Sequence, residues 1–474
     1  MTTLHAIFPY HIFRAYDIRG KINVLTAQVV QAIAYGLIEQ FESINQYEIV
    51  LGYDARLTSP SYAAIIADMF KSENFKVIEI GCCSSPMMYF FARQTGGNGI
   101  MVTASHNPKS DNGLKWMRKG LPPTPEMIQQ VALIAHQYYD AKLQITNASI
   151  SHQINQELCL QYQQALLSDI HLKRSFKIVL DGMHGSAGFL AESVLKKLGC
   201  TVISLRCNID GNFPDNAPDP SKEQHLTQLK YAIKEQHADI GIALDGDGDR
   251  LVIFDENAQL ITADRVLSLC AQICLEQHPH AEIVYDVKCS SMVRNTIQNL
   301  GGIPKMIRTG STFLRKYLAH SNGKAVFGGE YAGHYVFNDG RGHGYDDGLY
   351  AALRILEYLS CSSHTTLSAL FRQYPERCST EDTYISTYTI TPQLVLDNVA
   401  LKSQAFDAQM SKIDGIRLDF KDGFGIIRAS NTGEYFTVRF DADNPARLND
   451  IRGAFAAMLS DDYPQIALDI LDAQ

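Results

Sequence analysis

The 474-residue sequence has no excess of positive charge, few cysteines and no long apolar run. Lys and Arg total 42 against 51 Asp and Glu, a formal charge of −9, whereas proteins that coat nucleic acid or anionic membranes are usually basic. The ten cysteines include no CxxC pair and are too sparse for a disulfide framework. No apolar run reaches the ~18 residues of a membrane helix, and the N-terminus lacks the pattern of a signal peptide. We therefore expect a cytoplasmic globular protein that binds neither nucleic acid nor membrane.

A strand–helix–strand pattern recurs three times along the chain. The units begin near Ile49, Ile178 and Ile283, where a short apolar run leads into a polar turn with Asp and then into an amphipathic helix. A second β-type run follows in each unit (FKVIEIG, CTVISL and GGIPKMI). Such units build a buried parallel sheet with helical crossovers. Thr26 and the Ser59-Pro60 pair are suited to helix starts.

The pattern of apolar and polar residues changes after about Tyr374. The segments DTYISTYTI, GIRLDF, FGIIRAS and YFTVRFDAD alternate apolar and polar residues, as half-buried antiparallel strands do, and the helical segment ARLNDIRGAFAAML follows. This pattern predicts a separate small α+β domain. The predicted domains are 1–152, 153–256, 257–374 and 375–474.

Three carboxylates are separated only by glycine in Asp245-Gly-Asp247-Gly-Asp249-Arg250, between the β-type runs ADIGIAL and LVIF. Such acids repel one another without a cation, and glycine lets alternate side chains converge. All-oxygen ligands suit a hard cation, and one compact site suits Mg²⁺. The alternatives are a solvated acidic turn and an EF-hand loop of a non-enzymatic Ca²⁺-binding module. The EF-hand is disfavoured because Arg250 stands where that loop needs glycine and because the flanks are strands.

A serine follows the apolar run GIMV within Thr103–Pro108 (TASHNP), and Lys115 lies shortly beyond it. Pro108 prevents a helix from starting directly on Ser105, and strand-end loops are where α/β sheets place reacting groups. One interpretation is a serine hydrolase with His106 as base, although adjacent side chains point apart in an extended chain and no GxSxG motif is present. Another is a serine that carries phosphate near the metal ion. A plain polar turn is the third.

Two further loops carry groups that suit a phosphosugar. Arg428 opens the segment RASNTG, which offers a guanidinium, hydroxyls, an amide and backbone N–H groups that could bind a phosphate. A plain hairpin turn explains the same segment equally well. In the segment GGEYAGH, Glu330 can accept from sugar hydroxyls, and His334 can donate to phosphate or move a proton. Other cations are Arg19, Lys115, Arg250 and Lys288, each of which, taken alone, is more typical of a surface charge than of a ligand.

These motifs, in this order, closely resemble the α-D-phosphohexomutase superfamily, with the bacterial phosphomannomutase/phosphoglucomutase group as the nearest likeness. The likeness spans nearly the whole chain, through FRAYDIRG, GYDAR, TASHNP, DGDGDR, DVKC, GEYAGH, GYDDGLY and RASNTGEYFTVRFDAD. It implies four domains around a central cleft: three related mixed α/β domains and a C-terminal α+β domain like the TATA-box-binding protein. It also implies an isomerase, an intramolecular phosphotransferase that interconverts hexose 6-phosphate and hexose 1-phosphate (mannose or glucose) through a phosphoserine and a 1,6-bisphosphate.

The resemblance also implies a role for each motif residue. Ser105 is the phosphoserine, and the Mg²⁺ ligands are Ser105, Asp245, Asp247 and Asp249. The other expected catalytic residues are Arg19, Lys115, Arg250 and His334. The expected substrate-binding residues are Tyr16, Lys288, Arg308, Glu330, Ala332, His334, Arg428, Ser430, Asn431 and Thr432. A hexose 1,6-bisphosphate is the expected activator, a phosphosugar is the expected partner, and the expected oligomeric state is a monomer or weak dimer.

Two departures from the family pattern affect the expected sugar preference. The related bacterial enzymes usually carry GEMSGH and KTGHS, so here Ala332 replaces a hydroxyl and Ser311 replaces a histidine. Losing one hydrogen bond of this kind costs on the order of 1 kcal/mol. Within the superfamily, the alternative is therefore a phosphoglucosamine mutase. From another class of enzyme, the alternative is the serine hydrolase.

Overall fold

The structure is a computed structural model that describes residues 8–139, 152–430 and 433–473. The chain divides into two compact units. The first unit comprises Met1–Thr262, Arg315–Gly323 and Ala332–Leu370, and the second comprises Ala263–Leu314, Lys324–Tyr331 and Phe371–Gln474. None of the described helices combines the length and apolarity needed to cross a bilayer.

Strands and helices alternate through most of the described chain. The strands are β1 (Ile18–Lys21), β2 (Glu48–Tyr53), β3 (Lys76–Cys82), β4 (Gly99–Val102), β5 (Asp111–Met117), β6 (Lys177–Asp181), β7 (Thr201–Leu205), β8 (Ile240–Leu244), β9 (Leu251–Phe254), β10 (Leu260–Ile261), β11 (Glu282–Asp286), β12 (Ile303–Ile307), β13 (Ala325–Gly329), β14 (Tyr335–Phe337), β15 (Cys378–Ser379), β16 (Thr383–Ser386), β17 (Gln409–Ser411), β18 (Ile416–Asp419), β19 (Gly423–Ala429) and β20 (Tyr435–Ala442). The helices are α1 (Ala27–Glu42), α2 (Ser59–Ser72), α3 (Ser85–Gln94), α4 (Pro125–Tyr139), α5 (Gln156–Asp169), α6 (Gly188–Lys197), α7 (Thr227–Gln236), α8 (Ala263–Gln277), α9 (Ser291–Asn299), α10 (Ser311–His320), α11 (Gly348–Cys361), α12 (Leu367–Phe371), α13 (Pro392–Lys402), α14 (Pro445–Leu459) and α15 (Pro464–Leu471). Short 3₁₀ helices span Tyr10–Ile12, Glu223–Leu226 and Ser403–Ala405.

The first unit contains two mixed sheets of the same design. Their strand orders are β1-β5-β4-β2-β3 and β10-β9-β8-β6-β7. In each sheet the last three strands of the order run parallel, and the second strand pairs antiparallel to the third, β5 with β4 and β9 with β8. The units β2–α2–β3 and β6–α6–β7 confirm the first two predicted strand–helix–strand repeats, because parallel neighbours need a crossover helix.

Helix starts in the first unit follow the sequence signals. Thr26 Oγ1 accepts a hydrogen bond from Val29 N at 3.4 Å, and α2 begins at Ser59 with Pro60 in its first turn. The apolar face of α1 is buried and comprises Val29, Val30, Ile33, Leu37 and Phe41. Burial of a continuous stripe on one helix face supplies most of such a helix's stability.

The second unit contains three parallel strands and an antiparallel sheet. Strands β12, β11 and β13 are parallel, with α9 joining β11 to β12, which confirms the third predicted repeat. The C-terminal sheet has the order β15-β20-β19-β18-β17, with β16 also paired to β20, and its pairs are antiparallel. Helix α14 follows, capped by Asn444 Oδ1, which accepts from Arg447 N at 3.0 Å. The change from parallel to antiparallel sheet confirms the predicted change of architecture.

The thiols are structural rather than paired. All ten cysteines are free, and eight of them are buried. Burial raises the pKa of Cys82 and, more strongly, that of Cys83, which keeps both thiols protonated and unreactive.

Candidate active site

Ser105 lies on the turn between β4 and β5 in a left-handed backbone conformation, with φ = 51°. Thr103 Oγ1 holds this turn: it accepts from Ser105 N at 2.8 Å and donates to Asp54 Oδ2 at 2.7 Å. A non-glycine residue in this region costs of order 1 kcal/mol or more and persists only where its surroundings impose it. The turn therefore presents the Ser105 hydroxyl in one fixed direction.

The guanidinium of Arg56 also stabilises the turn that carries Ser105. Its nitrogens donate to the carbonyl oxygens of Ser105, Asn107 and Pro108 at 2.7 Å each and to that of Asp111 at 3.0 Å. Arg56 is buried and ion-paired with Asp54. The five rigidly arranged donors of one arginine can satisfy several buried carbonyls that no lysine could reach together.

Ser105 Oγ makes two contacts, which decide between the interpretations of the serine loop. Oγ donates to Asp245 Oδ2 at 2.7 Å and lies 3.3 Å from His106 Nδ1. The expectation that the adjacent histidine points away is wrong, because the left-handed conformation of Ser105 is not extended. The shorter bond goes to the acidic loop. Partial burial together with the charges of Arg250 and Arg19 keeps the pKa of His106 well below its usual range.

The three aspartates lie on the loop between the antiparallel strands β8 and β9, as the sequence predicted. All three carboxylates are fully buried, and one oxygen from each lies within 4.8 Å of the others. A Cβ on Gly246 would lie 2.5 Å from Ser105 O, so glycine is what allows the two loops to touch. Flanking strands rather than helices rule out the EF-hand.

The carboxylate cluster fits a hard divalent cation. Oδ1 of Asp247 and Oδ1 of Asp249 are buried without a hydrogen-bond partner. Burial, and then the charges of Asp249 and Asp247, raise the pKa of Asp245 well above its usual range, so ionisation of this carboxyl group is unfavourable unless a further cation lies beside it. Oxygen donors at this spacing are what Mg²⁺ takes. The Ser105 hydroxyl lies against the same carboxylate cluster, because it donates to Asp245 Oδ2.

Two of the predicted cations lie against this cluster. Lys115 Nζ is 2.8 Å from Asp247 Oδ2 and 2.6 Å from Asp249 Oδ2. Burial opposes the charge on Lys115, but the two aspartates outweigh it and raise its pKa well above the usual range. Arg19 is paired with Asp17 at 2.6 Å and donates to Asn107 Oδ1 at 3.2 Å, on the serine loop. Both cations therefore place positive charge beside the Ser105 loop and the aspartate cluster.

His334 joins this cluster from the loop before β14. Its Nε2 accepts from Arg250 Nε at 2.9 Å, and its Nδ1 lies 2.9 Å from Asp346 Oδ2 and 3.7 Å from Asp249 Oδ1. Burial lowers the pKa of His334, but Asp249 and Asp346 outweigh that effect and raise it above its usual value. The ring therefore takes up a proton more readily at neutral pH than a free imidazole does.

In the second unit, buried Asp286 holds the predicted sugar loop. Its Oδ1 accepts from Tyr331 N at 3.1 Å, and its Oδ2 accepts from Thr309 Oγ1 at 2.8 Å. Gly310 N donates to Glu330 Oε1. One carboxylate thus ties the end of β11 both to the segment that contains Arg308 and to the loop that carries Glu330.

The phosphate-binding cations predicted in the second unit each face a carboxylate. Lys288 Nζ lies 2.5 Å from Asp382 Oδ2, and Arg428 Nη2 lies 3.0 Å from Asp414 Oδ2. Arg428 Nε and Arg308 Nε are buried without a hydrogen-bond partner, so each has a donor left for an anion. Burial lowers the pKa of Lys288, yet Asp382 and Asp286 outweigh it and raise it, so the charge is retained.

The structure sorts the predicted residues into two groups. Those in the first unit are Tyr16, Arg19, Ser105, Lys115, Asp245, Asp247, Asp249, Arg250, Ala332 and His334. Those in the second unit are Lys288, Arg308, Glu330, Arg428 and Ser430, whereas Asn431 and Thr432 lie outside the described residues. Tyr16 is 36% exposed and takes no part in the cluster around Ser105 shown by these contacts.

Sequence reasoning missed several residues of the site. Ser85 Oγ donates to Asp247 Oδ2 at 2.6 Å, while Arg56, Asp286 and Asp346 act as described above. The paired acids of GYDDGLY and the arginine of GYDAR were visible as motifs. Their partners were not, because those partners are distant in sequence.

The sequence matches three protein families in succession. They are described as phosphoglucomutase/phosphomannomutase alpha/beta/alpha domains I, II and III, and they match residues 11–142, 160–258 and 262–378.

Relatives match along nearly the whole chain. A phosphomannomutase/phosphoglucomutase of Pseudomonas syringae pv. tomato is 34% identical over 464 residues, covering 98% of each chain. A phosphoglucomutase of Neisseria meningitidis serogroup A is 35% identical over 456 residues, covering 94% of this chain and 96% of its own. The crystal structure of a phosphoglucomutase/phosphomannomutase family protein from Burkholderia thailandensis superposes with a TM-score of 0.85 at 33% identity, covering 95% of this chain and 97% of its own.

Proposed function

The chain belongs to the phosphoglucomutase/phosphomannomutase family and is a hexose phosphate mutase, and on that premise we propose which residues carry the reaction. The substrates are the 6-phosphate and 1-phosphate of mannose, glucose or both. Ser105 carries the phosphoryl group, and a hexose 1,6-bisphosphate is both the intermediate and the activator. The observation that carries the proposal is the 2.7 Å hydrogen bond from Ser105 Oγ to Asp245 within a buried three-carboxylate cluster.

The transfer from Ser105 is a displacement at phosphorus. The free hydroxyl oxygen of the bound hexose phosphate forms a bond to phosphorus, and the bond from phosphorus to Ser105 Oγ breaks. The hydroxyl proton passes to a side chain of the site, for which His334 is the candidate. Lys115, which Asp247 and Asp249 keep protonated, is the candidate donor of the proton that Ser105 Oγ takes up. The reverse sequence at the other phosphate of the bisphosphate restores phosphoserine and releases the isomer.

Charge placement does most of the work in such a transfer. Arg19, Lys115 and Arg250 surround the phosphoryl group on Ser105. Mg²⁺ held by Asp245, Asp247, Asp249 and a phosphoserine oxygen would supply Lewis-acid stabilisation of the charge on that group. Because these side chains are already fixed by hydrogen bonds to one another, little reorganisation accompanies the reaction.

A second set of residues is proposed to recognise the part of the substrate that does not react. The proposed ligands of the other phosphate and the sugar are Tyr16, Lys288, Arg308, Arg428, Ser430, Asn431 and Thr432, and Glu330 is proposed to accept from sugar hydroxyls. The unpartnered Nε atoms of Arg428 and Arg308 support this assignment. Ala332 offers no hydroxyl, so the sugar is distinguished mainly by Glu330 and its neighbours.

The proposal is tested by mass spectrometry of the intact protein and by a substrate panel. We expect one phosphate on Ser105, and turnover of mannose and glucose phosphates, with glucosamine phosphate as the comparison, in the presence of the matching 1,6-bisphosphate. Ser105→Ala should lose both the phosphate and at least about 10³-fold in kcat, because the covalent route is removed. Ser110→Ala, on the same loop, should keep both. Full turnover by Ser105→Ala, or phosphate on another residue, contradicts the proposal.

A further inference from the structure

Two of the cations proposed for the non-reacting phosphate, Lys288 and Arg428, are each paired with a carboxylate of the same unit. Arg428 Nη2 lies 3.0 Å from Asp414 Oδ2, and Lys288 Nζ lies 2.5 Å from Asp382 Oδ2. The Arg428 pair is mostly buried, with 14% of the arginine side chain and 11% of the aspartate side chain exposed. A phosphate that approaches Arg428 therefore meets a guanidinium whose charge is already offset at short range by Asp414.

Asp414 is fixed beside Arg428 by the backbone around it. Its Oδ2 also accepts a hydrogen bond from Thr309 N at 3.2 Å. The next residue, Gly415, has φ = 82°, and a Cβ there would overlap Ile427 O and lie 2.7 Å from Arg428 Cα. The turn between β17 and β18 thus packs directly on the backbone of β19. Because this turn cannot move away without opening the sheet, the carboxylate stays near the guanidinium when a ligand binds.

Arg428 nevertheless keeps a donor for an anion. Its Nε is buried and has no hydrogen-bond partner, whereas Asp414 contacts Nη2. The carboxylate therefore offsets the charge of the guanidinium without occupying the Nε donor. Phosphate can bind at Arg428 with Asp414 still in place, but the carboxylate repels it, so the binding is weaker than at an unpaired arginine.

The proposed reaction requires the phosphate bound at Arg428 to leave in every turnover. Each phosphate of the 1,6-bisphosphate must in turn reach Ser105, so the one bound at Arg428 after the first transfer must be released before the second. Binding that stabilises the bound bisphosphate as strongly as the following transition state does not raise kcat, and still stronger binding slows the release. A carboxylate beside the arginine makes that release easier.

We propose that Asp414 is a positioning residue that keeps Arg428 in place while offsetting its charge, so that the non-reacting phosphate is bound weakly enough to be released in each turnover. This role rests on Arg428 as a phosphate ligand in the proposed function. It extends that function to a carboxylate that touches no reacting atom. Removal of the charge alone should therefore strengthen phosphate binding, whereas loss of a residue needed only for structure would weaken it.

The first test measures binding of glucose 6-phosphate by calorimetry in Ser105→Ala protein, in which no phosphoryl group can be transferred from the serine. Asp414→Asn removes the charge but keeps an oxygen that can accept from Arg428 Nη2 and Thr309 N. In this background we expect Asp414→Asn to lower the dissociation constant at least about fivefold, because one repulsive charge near the phosphate is lost. An unchanged or higher dissociation constant overturns the proposal.

Asp422→Asn is the matched control, because Asp422 also pairs with an arginine in a turn of the C-terminal sheet. Asp422 Oδ2 lies 3.1 Å from Arg447 Nε, and the two aspartates lie beyond opposite ends of β18. Loss of this distant charge should leave the dissociation constant within about twofold of the background value. Tightening by Asp422→Asn equal to that by Asp414→Asn overturns a specific role of Asp414.

Arg428→Ala in the same background separates the failure of this proposal from that of the proposed function. It should raise the dissociation constant at least about tenfold, because a charged hydrogen bond to phosphate is lost. If Arg428→Ala weakens binding but Asp414→Asn does not strengthen it, only the role of Asp414 is refuted. If Arg428→Ala has no effect, the proposed phosphate site is refuted, and the role of Asp414 with it.

Steady-state kinetics of the enzyme with Ser105 intact separate tighter binding from general damage. Asp414→Asn should lower both KM and kcat at least about threefold, because the phosphate binds more strongly and leaves more slowly. Asp422→Asn should change neither constant. A higher KM, or a lower kcat at unchanged KM, indicates damage to the site and overturns the proposal. A wild-type kcat together with tighter binding overturns the link to phosphate release.

Discussion

At the scale of single residues, Arg56 shows how much of the reactive serine's geometry depends on a side chain that touches no substrate. Four carbonyls of the serine turn, those of Ser105, Asn107, Pro108 and Asp111, converge on its guanidinium. Each buried carbonyl left without a donor costs about 1–3 kcal/mol. Arg56, together with Thr103, therefore stabilises the positive φ of Ser105.

Arg56→Lys should lower both stability and activity. A lysine keeps the charge beside Asp54 but can reach fewer of the four carbonyls, so the turn relaxes and the serine hydroxyl moves from Asp245. We expect kcat to fall at least about tenfold and the melting temperature to fall as well, measured by steady-state kinetics and thermal denaturation. Arg118→Lys, at a half-buried site of the same sheet, is the control. Wild-type kcat and stability in Arg56→Lys would show that the hydrogen bonds from Arg56 to the serine turn are dispensable.

Asp347 gives a pH-dependent prediction at the same scale. Burial raises its pKa to about 6, with Asp346 adding to the effect and the hydrogen bonds from Tyr162 and Tyr350 opposing it. The folded state therefore holds a proton that the unfolded state, with a pKa of 3.8, has lost. Stability from this group is lost as pH rises from about 4 through 6, which amounts to about 3 kcal/mol above pH 7.

Asp347→Asn should consequently stabilise the protein, and more so at high pH. Asn keeps an acceptor for the Tyr350 N–H and can donate to the Tyr162 hydroxyl oxygen, without a charge to bury. The gain in unfolding free energy over the wild type should be about twice as large at pH 8 as at pH 5. Denaturant titrations at the two pH values measure it. An equal gain at both would mean that the carboxyl pKa is not raised.

At the scale of elements, the approach of two loops decides whether the site exists. The loop after β4 carries the serine and the loop after β8 carries the aspartates, and each belongs to a different sheet. Gly246 permits their contact, since a Cβ there would meet Ser105 O at 2.5 Å and Pro218 Cγ at 2.9 Å. The absence of a side chain on Gly246 thus lets the serine loop approach the aspartate loop.

Gly246→Ala should separate the loops and lower kcat about 100-fold, the scale of a displacement near 1 Å at a reacting group. The backbone of Gly246 does not need a positive φ, so the effect is one of contact alone. Gly453→Ala in α14, where a Cβ meets nothing within 4 Å, is the control and should keep full activity. It should also gain up to about 1 kcal/mol of helix stability. Normal kinetics of Gly246→Ala would contradict the contact.

At the scale of the whole molecule, a bound cation should couple the two sheets of the first unit. Three buried acids destabilise the fold when no cation shares their charge, and the ion would also engage the serine loop. Adding Mg²⁺ at 100 times its dissociation constant should stabilise the protein by about 2.7 kcal/mol. The melting temperature in Mg²⁺ and in EDTA, at matched ionic strength, measures this.

Asp247→Asn should lose most of the Mg²⁺-dependent rise in melting temperature and the Mg²⁺-dependent turnover with it, because a ligand oxygen and a charge are removed. Asp210→Asn, a half-buried acid of another loop, should keep both. An undiminished Mg²⁺ shift in Asp247→Asn would place the ion elsewhere.

Local patterns of the sequence determined much of the fold. The three strand–helix–strand repeats, the helix start at Thr26 and the antiparallel tail follow from periodicity and capping. Both depend on neighbours a few residues apart, so both can be recognised in the chain alone. The chemical types needed at the site, a reactive serine, three carboxylates and a set of cations, were equally visible.

Only the tertiary structure decided which of these groups meet. Ser105 and Asp245 are 140 positions apart and touch only because two sheets pack their loop ends together around Gly246. The same packing forces Ser105 into a left-handed conformation, which the rule for extended chains could not foresee. It also brings Asp346 to His334 and Arg56 to the serine turn. Hydrogen bonds between distant segments carry no periodic signature, because they are fixed by packing rather than by spacing along the chain.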